Sequence, residues 1–165
     1  MMTASDVLEV LVCLEAAGLR VWVDGGWGVD ALVGETTREH ADLDLVVLAP
    51  ELAAVRSLLA EAGYRAVLRN WLPTSIALAD GQGREVDLHP VTPTGDGGGD
   101  QPQLGGGSFH YRPPASGAIG GRRVACVDAA TQVRCHLGYP PTAKDRHDLR
   151  QLHERLGVEL PQPYQ

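Results

Sequence analysis

Residues 23–47 read VDGGWGVDALVGETTREHADLDLVV, and the fold turns on how this stretch divides. The apolar run LRVWVDGG at 19–26 predicts a short buried strand running into a tight turn at Gly25 and Gly26. WGVDALVG, residues 27–34, then predicts a short helix stopped by Gly34. ADLDLVVLAP at 41–50 predicts a second strand, whose alternation sets Asp42 and Asp44 on one face and Leu43 and Leu45 on the other.

Upstream, residues 3–17 carry a helical apolar stripe behind a Thr3/Asp6 capping box, and Gly18 ends them. Downstream, Pro50 opens a helix that Gly63 stops. Strands are expected at 64–70, 74–80 and 84–91, the last two joined by a hairpin at Asp80-Gly81-Gln82-Gly83. PTGDGGGDQPQLGGG, residues 93–107, is poor in apolar residues and dense in glycine, which predicts a mobile loop. Residues 120–128 then read as a strand, 128–139 as a helix, and 142–157 as a last helix capped by Thr142 and Asp145. Neither a repeat nor an interdomain linker is visible, so residues 1–165 are expected to form one α+β domain: a mixed, twisted sheet with flanking helices. Its parts would be a core at 1–92, the Gly-rich loop at 93–107, and a last strand with helices at 108–165.

A chain of 165 residues can bury a core, and no stretch is long and apolar enough to span a membrane. The start MMTASDVLEV lacks the features of a secretory signal, and Cys13, Cys126 and Cys135 form no CxxC pair. A cytoplasmic, disulfide-free protein is therefore expected, either monomer or homodimer. The formal charge of −7 is uneven: residues 1–100 hold 16 acids and 6 bases, residues 101–165 only 5 acids and 8 bases. Nucleic-acid binding through phosphate neutralisation requires the opposite sign. An acidic cluster suits cations, and the densest lies at 24–44, where six acids face the single base Arg38.

Asp42 and Asp44 in phase on one strand, with Asp87 on a later strand, can form an oxygen-rich cage for Mg²⁺. Such a cage is the protein half of a two-metal phosphoryl-transfer site. Glu85 and His89 share the Asp87 strand face and are the alternatives for a third ligand. Gly25 and Gly26 at a helix N-terminus allow backbone N–H groups to approach a phosphate. Arg38 and His40 either pair with the neighbouring acids or face a departing pyrophosphate. Gly26-Trp27-Gly28-Val29-Asp30-Ala31 imitates a dinucleotide fingerprint, but that motif wants a ribose-binding acid about 20 residues on at the end of an apolar strand. Here the acids lie in the body of the strand, as DLDL.

Together with REVDLHPV (84–91) and HLGYPPTAKDRHDLRQL (136–152), the opening stretch resembles the small antibiotic nucleotidyltransferases of the DNA polymerase β-like superfamily, in particular the aminoglycoside 2''- and lincosamide nucleotidyltransferase group. The resemblance implies a polymerase β-like sheet and transfer of a nucleoside monophosphate, AMP from ATP, to an antibiotic hydroxyl. An aminoglycoside is the first expectation for the acceptor and a lincosamide the alternative; a nucleotide-binding, non-catalytic relative is the competing reading. It also implies that Asp42 and Asp44 hold two Mg²⁺ ions and that Asp87 completes the cage or serves as base. Gly25 and Gly26 would cradle the triphosphate. Arg38 and Lys144, the latter the only lysine of the chain, would contact the nucleotide. The Gly-rich loop has no counterpart in that pattern.

Overall fold

The computed structural model describes residues 1–165. Strand β1 (Val21–Asp24) enters helix α2 (Gly25–Val33) directly, after the N-terminal helix α1 (Ala4–Ala16). Both ends of this unit follow from sequence. Asp24 accepts from the Gly25 amide at 2.8 Å as N-cap, and Gly34 terminates α2 in the left-handed conformation at φ 82°. The expected Thr3/Asp6 box caps α1, with both reciprocal hydrogen bonds present.

Strand β2 (Asp42–Leu48) is followed by a 3₁₀ turn and helix α3 (Leu52–Glu61). Then come β3 (Ala66–Trp71), β4 (Ser75–Ala79) and β5 (Glu85–Pro93), with β4 and β5 joined across the Asp80 turn as the Asp-Gly signal requires. The main path of the sheet, which β8 (Ala115–Ile119) and β9 (Arg122–Cys126) complete, runs β3-β4-β5-β2-β1-β9-β8. β2 pairs antiparallel with β1 but parallel with β5, so the sheet is mixed. This is the α+β architecture expected from the sequence.

Alternation along the central strands separates two faces. Val21, Val23, Leu43, Leu45, Val47, Val86 and Leu88 turn to one side and pack with Val7, Leu11 and Leu14 of α1 and Val55 and Leu59 of α3. Trp22, Val46, Leu48 and Val91 turn to the other, beneath Tyr111 and Val127. Helices α4 (Ala129–Cys135) and α5 (Ala143–Leu156) dock on α2 through Val29, Val133, Leu149 and Leu152. The expected Thr142/Asp145 box caps α5.

The Gly-rich stretch departs from expectation. Residues 93–107 include strand β6 (Gly99–Pro102), which pairs antiparallel with the end of β5 and with β7 (Ser108–Tyr111). Its glycines serve close approach rather than freedom: a Cβ on Gly98 would strike the Tyr111 carbonyl oxygen, and one on Gly99 would lie 2.5 Å from Val91 Cγ2. The C-terminal part likewise holds β7, β8 and β9 where one strand was expected, and α4 ends at Cys135, short of residue 139. Short, weakly apolar segments such as ASGAI pair because neighbours are already in place, a tertiary effect that periodicity does not carry.

Gly117 of β8 lies against α2, where a Cβ would come within 2.6 Å of the Ala31 carbonyl carbon. Gly117→Ala is expected to lower stability by about 1–3 kcal/mol in urea denaturation; an unchanged midpoint would refute this close helix–strand contact.

Candidate active site

Register builds the site. Asp24 of β1 lies opposite Asp44 of β2, and Asp44 lies beside Asp87 of β5, so these carboxylates form a row across adjacent strands. Asp42 and His89 stand two residues from that row on the same face. The face opens into a cleft of about 690 Å³ that also reaches Gly25 and Gly26, the β6–β7 hairpin, and residues of α4 and α5.

The structure brings one ligand atom each from Asp44, Asp87 and His89 within 4.8 Å of one another. Asp42 lines the same cleft but lies outside this close trio. Glu85, the other alternative, is paired with Arg69. The carboxylates are unequally committed. Both oxygens of Asp24 accept hydrogen bonds, from the Gly25 amide and from Tyr111 Oη at 3.1 Å. Asp87 Oδ1 is buried without a partner, while Oδ2 lies 3.6 Å from Arg69. An unsatisfied buried carboxylate oxygen beside a second carboxylate suits a hard divalent cation, so these residues fit Mg²⁺.

Asp44 has its pKa raised, first by burial and further by the charges of Asp42 and Asp24; a hydrogen bond with His89 opposes the rise. His89 Nε2 donates to Asp44 Oδ1 at 3.1 Å. Burial disfavours charge on His89, but the bond to Asp44 and the negative field of Asp44, Asp24 and Asp87 outweigh it and raise its pKa to about 9.

The glycine turn is fitted to its neighbours. Gly25 adopts φ 58°, and a Cβ there would collide with Asp44 Oδ2. A Cβ on Gly26 would collide with Arg38 Nη2 and lie 2.6 Å from His40 Cε1. Only glycines allow the turn, the acidic strand and the 35–41 loop to converge. The loop is fixed by Asp30, which accepts from Thr37 Oγ1 at 2.6 Å and from His40 Nε2 at 2.5 Å, while Trp27 packs on the His40 ring.

Arg38 reaches the cleft but makes a two-pronged bond to Asp148 of α5, Nε at 2.7 Å and Nη2 at 2.6 Å. That pairing, led by the hydrogen bond to Asp148, raises its already high pKa. Lys144 stands exposed in the first turn of α5, lining the cleft. Sequence reasoning missed the partners Tyr111, Gln101 and Asp148. The only signal for Gln101 was a polar residue inside a glycine-rich run, and nothing local linked Arg38 to a residue 110 positions away.

A mixed sheet with an acidic row facing a glycine turn defines a phosphoryl-transfer class of site. Residues 6–152 match the aminoglycoside-2''-adenylyltransferase family, and the chain belongs to it, within the polymerase β-like nucleotidyltransferases. It is 29% identical over 152 residues to a lincosamide resistance protein of Staphylococcus haemolyticus, covering 91% of this chain and 94% of that protein. A 2''-aminoglycoside nucleotidyltransferase of Klebsiella pneumoniae is 40% identical over 37 residues, 22% of this chain and 21% of that protein. Among solved structures, the lincomycin-bound lincosamide antibiotic adenylyltransferase LnuA aligns with a TM-score of 0.81 at 29% identity, over 92% of this chain and 96% of that one. ANT(2'')-Ia with adenylyl-2''-tobramycin shares the fold, with a TM-score of 0.73 at 19% identity over 93% and 89%. The family and fold expected from the sequence are those found.

Asp148→Ala leaves Arg38 without its partner in a largely buried position, and is expected to cost about 3–5 kcal/mol in chemical denaturation. A loss below 1 kcal/mol would show that Arg38 readily finds another anion or solvent.

Proposed function

We propose that this protein transfers a nucleoside monophosphate, AMP from ATP, to a hydroxyl of an antibiotic-type small molecule and releases pyrophosphate. The observation that carries this reading is the partnerless buried Asp87 Oδ1 beside Asp44, on a sheet face that meets the Gly25-Gly26 turn. Asp42, Asp44 and Asp87 would hold Mg²⁺, which supplies charge neutralisation at the reacting phosphate. The Gly26 amide and Lys144 would bind the triphosphate beside Gly25, whose own amide is held by Asp24, with Arg38 available where Asp148 shares it. The acceptor hydroxyl oxygen attacks the α-phosphorus, the bond to the β-phosphate oxygen breaks, and the hydroxyl proton goes to Asp87 where that carboxylate serves as base rather than as ligand, otherwise to solvent.

For the acceptor, the acidic balance favours an aminoglycoside, the class expected from the sequence. A specific observation favours the second class: Trp71, Leu104, Leu137 and Tyr139 line the cleft and are all exposed. Several acids of the cleft are already engaged, Asp148 by Arg38, Asp44 by His89 and Asp145 by the α5 cap. Contact surface therefore decides over net charge, and an amphipathic lincosamide is the better fit.

The test is incubation with each NTP, Mg²⁺ and a panel of lincosamides and aminoglycosides, following pyrophosphate and product mass. Adenylylated lincosamide is expected; inactivity with every nucleotide and acceptor would overturn the reading. Asp42→Asn, Asp44→Asn and Asp87→Asn are each expected to lower kcat by about 10²-fold or more. Trp71→Ala is expected to raise the KM for lincosamide with kcat held, as loss of uniform binding does. Faster turnover of aminoglycosides than lincosamides by the unaltered protein would return the choice to the first class.

A further inference from the structure

Strand β6 delivers one side chain into the acidic site. Gln101 is 6% exposed, and its Nε2 lies 3.2 Å from His89 Nδ1, so the amide abuts that edge of the ring. The same nitrogen donates to the Thr74 carbonyl oxygen at 2.9 Å, and Gln103 Nε2 lies 3.3 Å from Gln101 Oε1. The amide is thus held from both ends and cannot rotate freely. On the far side of the ring, His89 Nε2 donates to Asp44 Oδ1, which leaves Asp44 Oδ2 turned toward Gly25. The His89 ring is engaged on both edges, so it acts as a brace between β6 and the acidic strand rather than as a free ligand.

We propose that Gln101 is a positioning residue for nucleotidyl transfer: it fixes the His89 ring, and His89 fixes the Asp44 carboxylate facing the glycine turn. The proposal rests on the transfer reaction set out above. It gives the Gly-rich segment a purpose, because Gly98 and Gly99 allow β6 to approach Tyr111 and Val91 closely enough to deliver Gln101. Partners that orient a ligand from behind typically change metal affinity or activity by about 10–100-fold when removed.

The experiment is a double-mutant cycle of Gln101→Met with His89→Asn, read in two ways: kcat and KM for transfer, and Mn²⁺ affinity of the nucleotide-free protein by electron paramagnetic resonance. Each single change is expected to lower kcat by about 10–100-fold and to weaken Mn²⁺ binding, with acceptor KM little altered. The double variant is expected to be no worse than the more damaged single one, because both act through one chain of contacts. Fold-losses that multiply would overturn the proposal, as would a change confined to KM, which would make Gln101 a substrate contact. Gln101→Asn, which shortens the arm but keeps the amide, repeats the test. Loss of the urea transition in both Gln101 variants would assign the residue a purely structural role and overturn the proposal. If the unaltered protein transfers no nucleotide, the parent reading fails, while the Mn²⁺ cycle still decides whether Gln101 and His89 act as one unit.

Discussion

The parallel pairing of β2 with β5 is the constraint on which the rest depends. It sets Asp44 beside Asp87 across 43 positions of sequence, with Asp42 beside Glu85 and Val46 beside His89. Side chains alternate with a period of two, so a one-residue slip of β5 would turn Asp87 and His89 into the apolar core and bring Val86 and Leu88 out to the cleft. Burying two ionisable groups while exposing two large aliphatic ones is costly on both counts. The alternation that makes the core therefore also locks the chemistry, and no separate device is needed to align the acids.

Glycines supply the second constraint, through what they allow to come near. A side chain on Gly25, Gly26, Gly98 or Gly99 would meet, in turn, Asp44, the Arg38–His40 pair, the Tyr111 carbonyl and Val91. Each of these neighbours belongs to the site or to the hairpin above it. The two glycine-rich segments, far apart in sequence, thus perform the same physical task around one cleft. One lets the acidic strand approach a helix N-terminus; the other lets β6 approach β5 and β7.

This explains what the sequence made legible. The strand, glycine turn, short helix and acidic strand rest on local rules, namely capping, left-handed glycine and alternation, and each holds. So do both capping boxes. The β6 strand was hidden because glycine density reads as freedom when the neighbours are unknown. His89 was visible as a residue on the right face, but that it faces Asp44 while Glu85 is drawn away depends on Arg69, a partner on β3 that engages Glu85. Arg38 was open to two readings, a neighbouring acid or a phosphate, and neither included Asp148, because a partner 110 residues away leaves no mark on the spacing around it.

The charge asymmetry of the chain narrows in the same way. Residues 101–165 hold 8 bases against 5 acids, yet most of these cations are engaged elsewhere. Arg122 pairs with Glu15 and Arg155 with Glu35, while Arg134 lies over the Phe109 ring and donates to the His110 carbonyl. Lys144 and Arg134 form no ion pair within 4.0 Å and both line the cleft, so the positive field that would meet an anionic nucleotide comes largely from these two side chains and the α2 N-terminus. On the acidic side the imbalance runs the other way: Asp44 has its pKa raised by burial among like charges, and Asp87 keeps a buried oxygen with no partner. An arrangement that is uphill for the protein alone and relieved by a cation is how a binding site differs from an acidic surface. On the proposed function, the free energy withheld from folding at Asp44 and Asp87 would be available to hold a divalent cation.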